Sequence, residues 1–278
     1  MNETAALSGI RMRPRWKYLS LAGMAVQSTL NYRRILITNF AANLIWVVIF
    51  YFLWQAVFAV NTQIGYLDWD RMRTYLVLAY VATMLINGSN SVWTVISSIR
   101  FGDIAMVISK PYDFFFAHLA LVVGPMLIEG LLAGVLAVLG GGLVLHILPP
   151  ASLQAAVFFL LSLLLGSLTR FLILYIASLF CFWTLNWLGI YWAYLAITNL
   201  FSGGLIPLVM FPDWLRMIAM ALPFQAIINT PILIYLGEIR GADILPAIGL
   251  QLFWIVALWI VGALMWKPCL RALEIQGG

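Results

Sequence analysis

The stretch LQAAVFFLLSLLLGSLTRFLILYIASLFCFWT, residues 153–184, is apolar apart from Gln154, Arg170 and scattered hydroxyls. Two short spans turning at Arg170 would leave the ends of the chain on opposite sides of a membrane. One span would leave them on the same side. A turn needs Gly, Pro, Asn or Asp, and none stands between Gly166 and Asn186. The stretch therefore predicts one long tilted helix that projects beyond the bilayer.

The rest of the chain agrees with a membrane setting. Of its 278 residues, 64% are hydrophobic and only 9% charged, with a mean hydropathy of +1.02. Soluble domains are about half apolar and about a quarter charged. A barrel would show alternating segments of about ten residues, whereas these runs are longer and continuous. The expected fold is an all-α polytopic membrane protein, a single transmembrane domain over residues 1–278. A span needs roughly 20 apolar residues. Six fit: Ile35–Ala59, Tyr75–Ile96, Ala117–Leu145, Leu153–Thr184, Gly189–Leu208 and Ile248–Trp266.

Charge orients them. With six spans, Arg11, Arg13, Arg15, Lys17, Arg33, Arg34, Arg100, Lys110, Lys267 and Arg271 share one side. The other receives Arg71, Arg73, Arg216 and Arg240, offset by Asp68, Asp70, Asp213, Glu238 and Asp243. The basic side is expected to be cytoplasmic, with both termini. No short apolar region with a small-residue cleavage site opens the chain, so the first span is expected to be retained as an anchor. Within the leading segment 1–34, Trp16, Leu19, Gly23, Val26 and Leu30 recur at helical spacing. They predict an amphipathic helix on the inner leaflet, its basic ends favouring anionic lipid.

Between the fifth and sixth spans, FPDWLRMIAMALPFQAIINTPILIYLG (residues 211–237) is apolar but cut by Pro212, Pro223 and Pro231. Each piece is too short to cross. Pro212 and Pro223 are expected to start two short helices, since Pro is tolerated only in a first turn. Both neighbouring spans end outside, so 209–237 is expected to dip into the outer leaflet and return, its broken backbone buried in protein or lining a wet cavity.

Several chemistries are disfavoured. The lysines are Lys17, Lys110 and Lys267, none following a Gly, so no phosphate-binding P-loop exists. His118 and His146 fall at opposite faces and share no metal; both read as interfacial residues. No HExxH or GxSxG appears. Cys181 and Cys269 read as apolar filler. The basic residues are not interleaved with aromatics on one face, which sets nucleic acid aside. The aromatic cluster at 180–194 reads as an interfacial anchor.

Two ionisable residues do fall inside spans, where they are rare and often functional. Glu129 lies near the midplane of the third span and Arg170 toward the inner leaflet in the fourth. They are candidates for a translocation path or for a pair that holds two conformations. The structural alternatives are a hydrogen-bonded or protonated Glu129 and an Arg170 that snorkels to headgroups. Gly130 and Gly134 make a small-residue stripe beside Glu129 that reads as packing within the chain.

The segment 97–116 joins spans two and three. In SSIRFGDIAMVISKPYDFFFAH (residues 97–118), charged Arg100, Asp103 and Lys110 alternate with Phe101, Ile104, Met106, Val107 and Ile108. Such a short amphipathic helix cannot enter the bilayer, but it fits a groove on another protein. Here the sequence resembles a known family. Ile99, Arg100, Gly102, Asp103, Ile104, Val107, Ile108, Lys110 and Pro111 match a signature of bacterial ABC transporter permeases of the type-2 exporter class, in particular daunorubicin- or viologen-exporter-like permeases. Ser202, Gly203, Pro207, Pro212, Trp214, Leu215, Leu222, Pro223, Phe224, Pro231, Tyr235 and Gly237 match a second.

The resemblance implies an exporter of drugs, lipids or other amphipathic compounds in the bacterial inner membrane, not itself an enzyme. It implies a second permease, identical or paralogous, and two copies of a separate ATPase that binds the ATP and Mg, with no cofactor on this chain. Arg100, Gly102, Asp103, Ile104, Val107, Lys110 and Pro111 would form a coupling helix against the ATPase. Pro212, Trp214, Pro223, Phe224 and Pro231 would belong to an external gate. Two other readings stand beside it: an ion-coupled carrier using Glu129, which would call for inverted repeats, and a non-transporting sensor or assembly subunit.

Overall fold

The computed structural model describes residues 14–87, 113–143, 145–184 and 187–276. These residues form α1 (Pro14–Asn31), α2 (Arg33–Val60), α3 (Trp69–Asn87), α4 (Phe114–Leu136), α5 (Leu153–Leu179), α6 (Trp187–Phe201), α7 (Asp213–Ala221), α8 (Asn229–Leu236) and α9 (Ile244–Gln276). The β-pairing among them is a single isolated bridge between Ile64 and Leu67. The expected all-helical class is borne out.

The decisive stretch is one helix. Ser152 caps α5, its hydroxyl accepting from the Ala155 N–H at 3.0 Å. The helix then runs unbroken past Arg170 to Leu179 and tightens into a single 3₁₀ turn at Phe180–Phe182. It is the axle of the bundle. Ser162, Gly166, Thr169, Arg170, Leu172 and Leu179 are all buried along it, and α9, α8 and α3 pack around it.

By length and composition, Phe114–Gly141, Leu153–Phe182 and Gly241–Ala272 can each cross a membrane. Leu44–Val60 and Leu188–Phe201 are shorter apolar helices. Large apolar side chains remain exposed along α2, α4 and α9, among them Trp46, Phe52, Leu127, Leu131, Phe253 and Leu264. That outside-apolar surface belongs in hydrocarbon.

Three connections meet at one end, here called the loop end. Asp68 caps α3 by accepting from the Arg71 N–H at 2.8 Å, and Arg71 pairs with Glu238. Leu148 N–H donates to Thr74 Oγ1 at 2.9 Å, and Tyr235 Oη donates to Leu148 O at 3.0 Å. The connections after α2, after α4 and before α9 thus share a side, as the charge pattern required. The opposite end holds an aromatic cluster of Phe114, Tyr175, Phe182 and Trp266 around Cys269.

Three expectations change, and α1 gains a packing partner. The fifth span stops early: α6 ends at Phe201, and Gly203 follows with φ +84°, a left-handed conformation that glycine adopts without strain. The second half-helix begins at Asn229. Pro223 opens only a 3₁₀ turn, Pro223–Ala226. The sixth helix is longer than expected and continues through Pro268 to Gln276. Finally, α1 lies alongside the first half of α4, running the same way. Tyr18 Oη accepts from the Asp113 N–H at 3.1 Å, and Gly124 sits against Ala22 and Val26. The predicted apolar residues Trp16, Leu19 and Leu30 stay exposed while a second face packs.

Candidate functional site

The expected ATPase-coupling residues Arg100, Gly102, Asp103, Ile104, Val107, Lys110 and Pro111 lie outside the described residues. The chain re-enters at Asp113, whose carboxylate accepts from the Phe116 N–H at 3.1 Å and caps α4. The same residue's N–H is held by Tyr18, so α1 is fastened to the point where α4 begins.

Glu129 and Arg170 line one cleft of about 530 Å³. Trp46, Val47 and Phe50 of α2 form one wall, with Leu76, Ala79, Tyr80, Thr83 and Met84 of α3 beside them. Tyr191, Leu195 and Asn199 of α6 face them. The opening has a packing cause. Over its first turns α4 touches α5, through Phe115, whose ring meets Phe171 at 5.6 Å and Tyr175 at 5.2 Å, and through Val122, which clusters with Phe171 and Leu172. Further along, α4 packs on α3 instead. Gly130 makes that approach possible: a Cβ there would lie 2.0 Å from Leu85 Cδ2.

The two charged residues do not pair with each other. Arg170 is 6% exposed, and its Nε donates to Tyr194 Oη of α6 at 2.8 Å. Glu129 is partly exposed to the cleft, and its carboxylate has no hydrogen-bond or ionic partner among the described residues. An unpartnered carboxylate at membrane depth is costly, and such groups face cavities when they persist. His118 and His146 are far apart: His118 is buried and donates through Nδ1 to Phe114 O at 2.7 Å, while His146 sits exposed in the connection at the loop end.

The proline-broken segment meets this cleft at its tip. Gly204, Leu205 and Ile228 line it. Pro212 and Trp214 are exposed at the start of α7. Pro223 and Pro231 are buried in protein, and Phe224 stands 6.3 Å from Phe201. The tip of the segment, 226–229, packs on Gly166 of α5, which is 13 residues past Leu153 and so about 20 Å in from the loop end. At that depth broken backbone needs partners inside the protein. It has them. Gln251 Nε2 of α9 donates to Ala226 O at 2.7 Å. Asn229 N–H donates to Ser202 O at 3.0 Å. Tyr75 Oη of α3 donates to Gly203 O at 2.8 Å.

Sequence reasoning missed Tyr75, Ser162 and Gln251, because only ionisable residues were singled out within spans. A neutral amide in the sixth span obeys the same rule at lower cost, and Gln251 was visible on that ground.

Among the described residues, exposed apolar helices surround a largely apolar cleft that holds one carboxylate and one guanidinium, the make-up of a multi-pass membrane protein. Residues 44–277 match the family model described as ABC-2 family transporter protein, and the chain belongs to that family. It is therefore an ABC-type permease, of a family whose membrane component works with an ABC ATPase subunit. The matched range holds the whole cleft and hairpin and leaves α1 outside. No curated protein matches the chain.

Proposed function

We propose that this chain is the permease subunit of an ATP-driven exporter that moves hydrophobic or amphipathic compounds outward through the cleft at Glu129 and Arg170. The observation that carries the reading is the cleft itself. It stands between α2, α3 and α6, is walled by Trp46, Phe50, Tyr80 and Tyr191, and holds one carboxylate and one guanidinium. Aromatic and aliphatic walls accept an apolar body, and the charges orient a polar head.

In this reading the six crossings place both termini in the cytoplasm of a bacterial cell, and the loop end faces outward. The exposed apolar face of α1 rests on the inner leaflet. The hairpin carrying Pro212, Trp214, Pro223, Phe224 and Pro231 caps the outer end of the path. Segment 97–116 docks on the ATPase through Arg100, Gly102, Asp103, Ile104, Val107, Lys110 and Pro111. Two ATPase copies bind ATP and Mg, and a second permease completes the path.

The test is reconstitution of the purified complex in vesicles with ATP. The Arg100→Glu, Asp103→Lys double variant is expected to assemble yet lose ATP-driven export. Normal export by that variant refutes the coupling assignment. Transport that proceeds without ATP and dies with Glu129→Gln establishes an ion-coupled carrier instead. A complex that binds the ATPase but moves nothing is a sensor.

A further inference from the structure

The hairpin tip is bound to two helices at once. Gln251 is fully buried in α9. Its Nε2 donates to Ala226 O at 2.7 Å and to Ser162 O of α5 at 3.1 Å, and its Oε1 accepts from Ser162 Oγ at 3.0 Å. One amide therefore joins the tip, α5 and α9 with all its near donors and acceptors engaged. Close packing adds to this. A Cβ on Gly166 would lie 2.8 Å from both Ala226 O and Ile227 O, so the α5 backbone seats directly on the tip. Ile227 is fully buried in one cluster with Leu163 and Phe159 of α5 and with Tyr75, Leu78, Ala79 and Ala82 of α3, so apolar packing is shared and the polar ties are what differ. Toward α3, by contrast, the hydrogen bond is Tyr75 Oη to Gly203 O.

We infer that Gln251 is a positioning residue for the seal of the cleft: it makes the hairpin tip one body with α5 and α9, so the path opens when this body shifts against α2 and α3, and not by a flap that swings at its prolines. The inference rests on the reading of the cleft as the path. Ile228 is the residue through which the tip acts, because it follows the pinned carbonyl by two positions and lines the cleft.

The experiment uses the complex with its native partners in vesicles. Leu163→Cys with Ile227→Cys locks the tip to α5 on oxidation, with the unmodified chain under the same oxidant as control for Cys181 and Cys269. The disulfide is expected to form and ATP-driven export to stay within about twofold of the reduced sample, since no relative motion is blocked. Failure of the bond to form, or export that stops on oxidation and returns with reductant, overturns the inference. A second arm measures leak of an entrapped dye without ATP. Gln251→Leu and Gly166→Ala, which unseat the tip by different means, are each expected to raise leak about tenfold, whereas Ser162→Ala keeps the Ala226 bond and stays near native. Assembled Gln251→Leu and Gly166→Ala complexes as tight as native overturn the positioning role. A native complex that exports nothing with ATP strikes the exporter reading alone.

Discussion

Tyr75→Phe isolates the hydrogen bond between α3 and the broken end of α6. The Tyr75 ring is 1% exposed and packs in the cluster with Leu78, Ile227 and Ile228. Phenylalanine keeps that packing and removes only Oη, the donor to Gly203 O at 2.8 Å. A buried hydrogen bond contributes about 1 kcal/mol net in soluble proteins. Between membrane helices the average is nearer ~0.6 kcal/mol, with a maximum near ~1.7, because the separated helices find other partners. Gly203 has less freedom to do so. It is buried, left-handed at φ +84°, and fixed between Ser202 and the hairpin. The upper half of the range applies, about 1–1.7 kcal/mol, or roughly a 5-fold to 20-fold shift in an equilibrium. Reversible unfolding in mixed micelles titrated with a denaturing detergent, followed by tryptophan fluorescence, reads this directly. A Tyr75→Phe chain within about 0.3 kcal/mol of native would mean that the bond contributes nothing beyond what solvent or lipid supplies.

Further outcomes follow from the same contacts. Gly203→Ala is expected to cost more than Tyr75→Phe, because the new Cβ meets Tyr75 Oη at 2.6 Å and a left-handed alanine adds about 1–2 kcal/mol of strain; equal or greater stability in the same titration refutes it. Glu238→Gln is expected to change stability by less than ~1 kcal/mol and to do so less in high salt, since Arg71 and Glu238 are 37% and 28% exposed. Burial first, then the Glu238 carboxylate, raises the Tyr66 phenol above its usual value of 10. Its contribution is fully present below pH 10 and is lost as pH rises further, so Tyr66→Phe is expected to flatten that alkaline loss in a pH series of melts. Glu129→Gln is expected to lower ATP-driven export without altering the melting midpoint by more than about 1 kcal/mol equivalent, as its carboxylate holds no partner among the described residues; export at native rate removes Glu129 from the path.

The helices were legible because length and apolarity alone decide a span. Residues 153–184 read as one helix for want of a turn residue, and α5 is one helix. The shared side of the connections was legible from charge, and Arg71, Thr74, Leu148 and Glu238 do meet. The early stop at Phe201 was written in Ser202, Gly203 and Gly204. The reading ran through them because Leu205, Ile206 and Leu208 kept the window apolar. The start of α8 was not legible from Pro223. Its place is set by bonds from Ser202 and Gln251, which lie 27 and 25 residues away from their partners in the chain. Pairing of Glu129 with Arg170 was an open expectation from neighbouring helices. Instead α4 leaves α5 beyond Val122 and packs against α3 at Gly130 and Ala133, and that separation is what leaves room for a cleft.

The two sets of contacts give the bundle an uneven mechanical design. Ser162, Gly166 and Gln251 join the hairpin tip to α5 and α9 through several bonds and direct backbone packing. Between the tip region and α3 the hydrogen bond is that of Tyr75, beside apolar packing of Tyr75, Leu78, Ala79 and Ala82 on Ile227 and Ile228, and Ala79 and Ile228 also line the cleft. A force applied at either end divides such a structure where the bonds are sparse. In the proposed opening, drawing α5 away from α3 would widen the wall between Tyr80 and Arg170 and carry Ile228 out of the mouth in the same movement. On that proposal the cleft and its seal would be opened by one displacement. Breaking the Tyr75 bond costs about the 1–1.7 kcal/mol worked above, and parting Tyr75, Leu78, Ala79 and Ala82 from Ile227 and Ile228 adds to it, so the nucleotide-driven partner of the proposed exporter has to supply both.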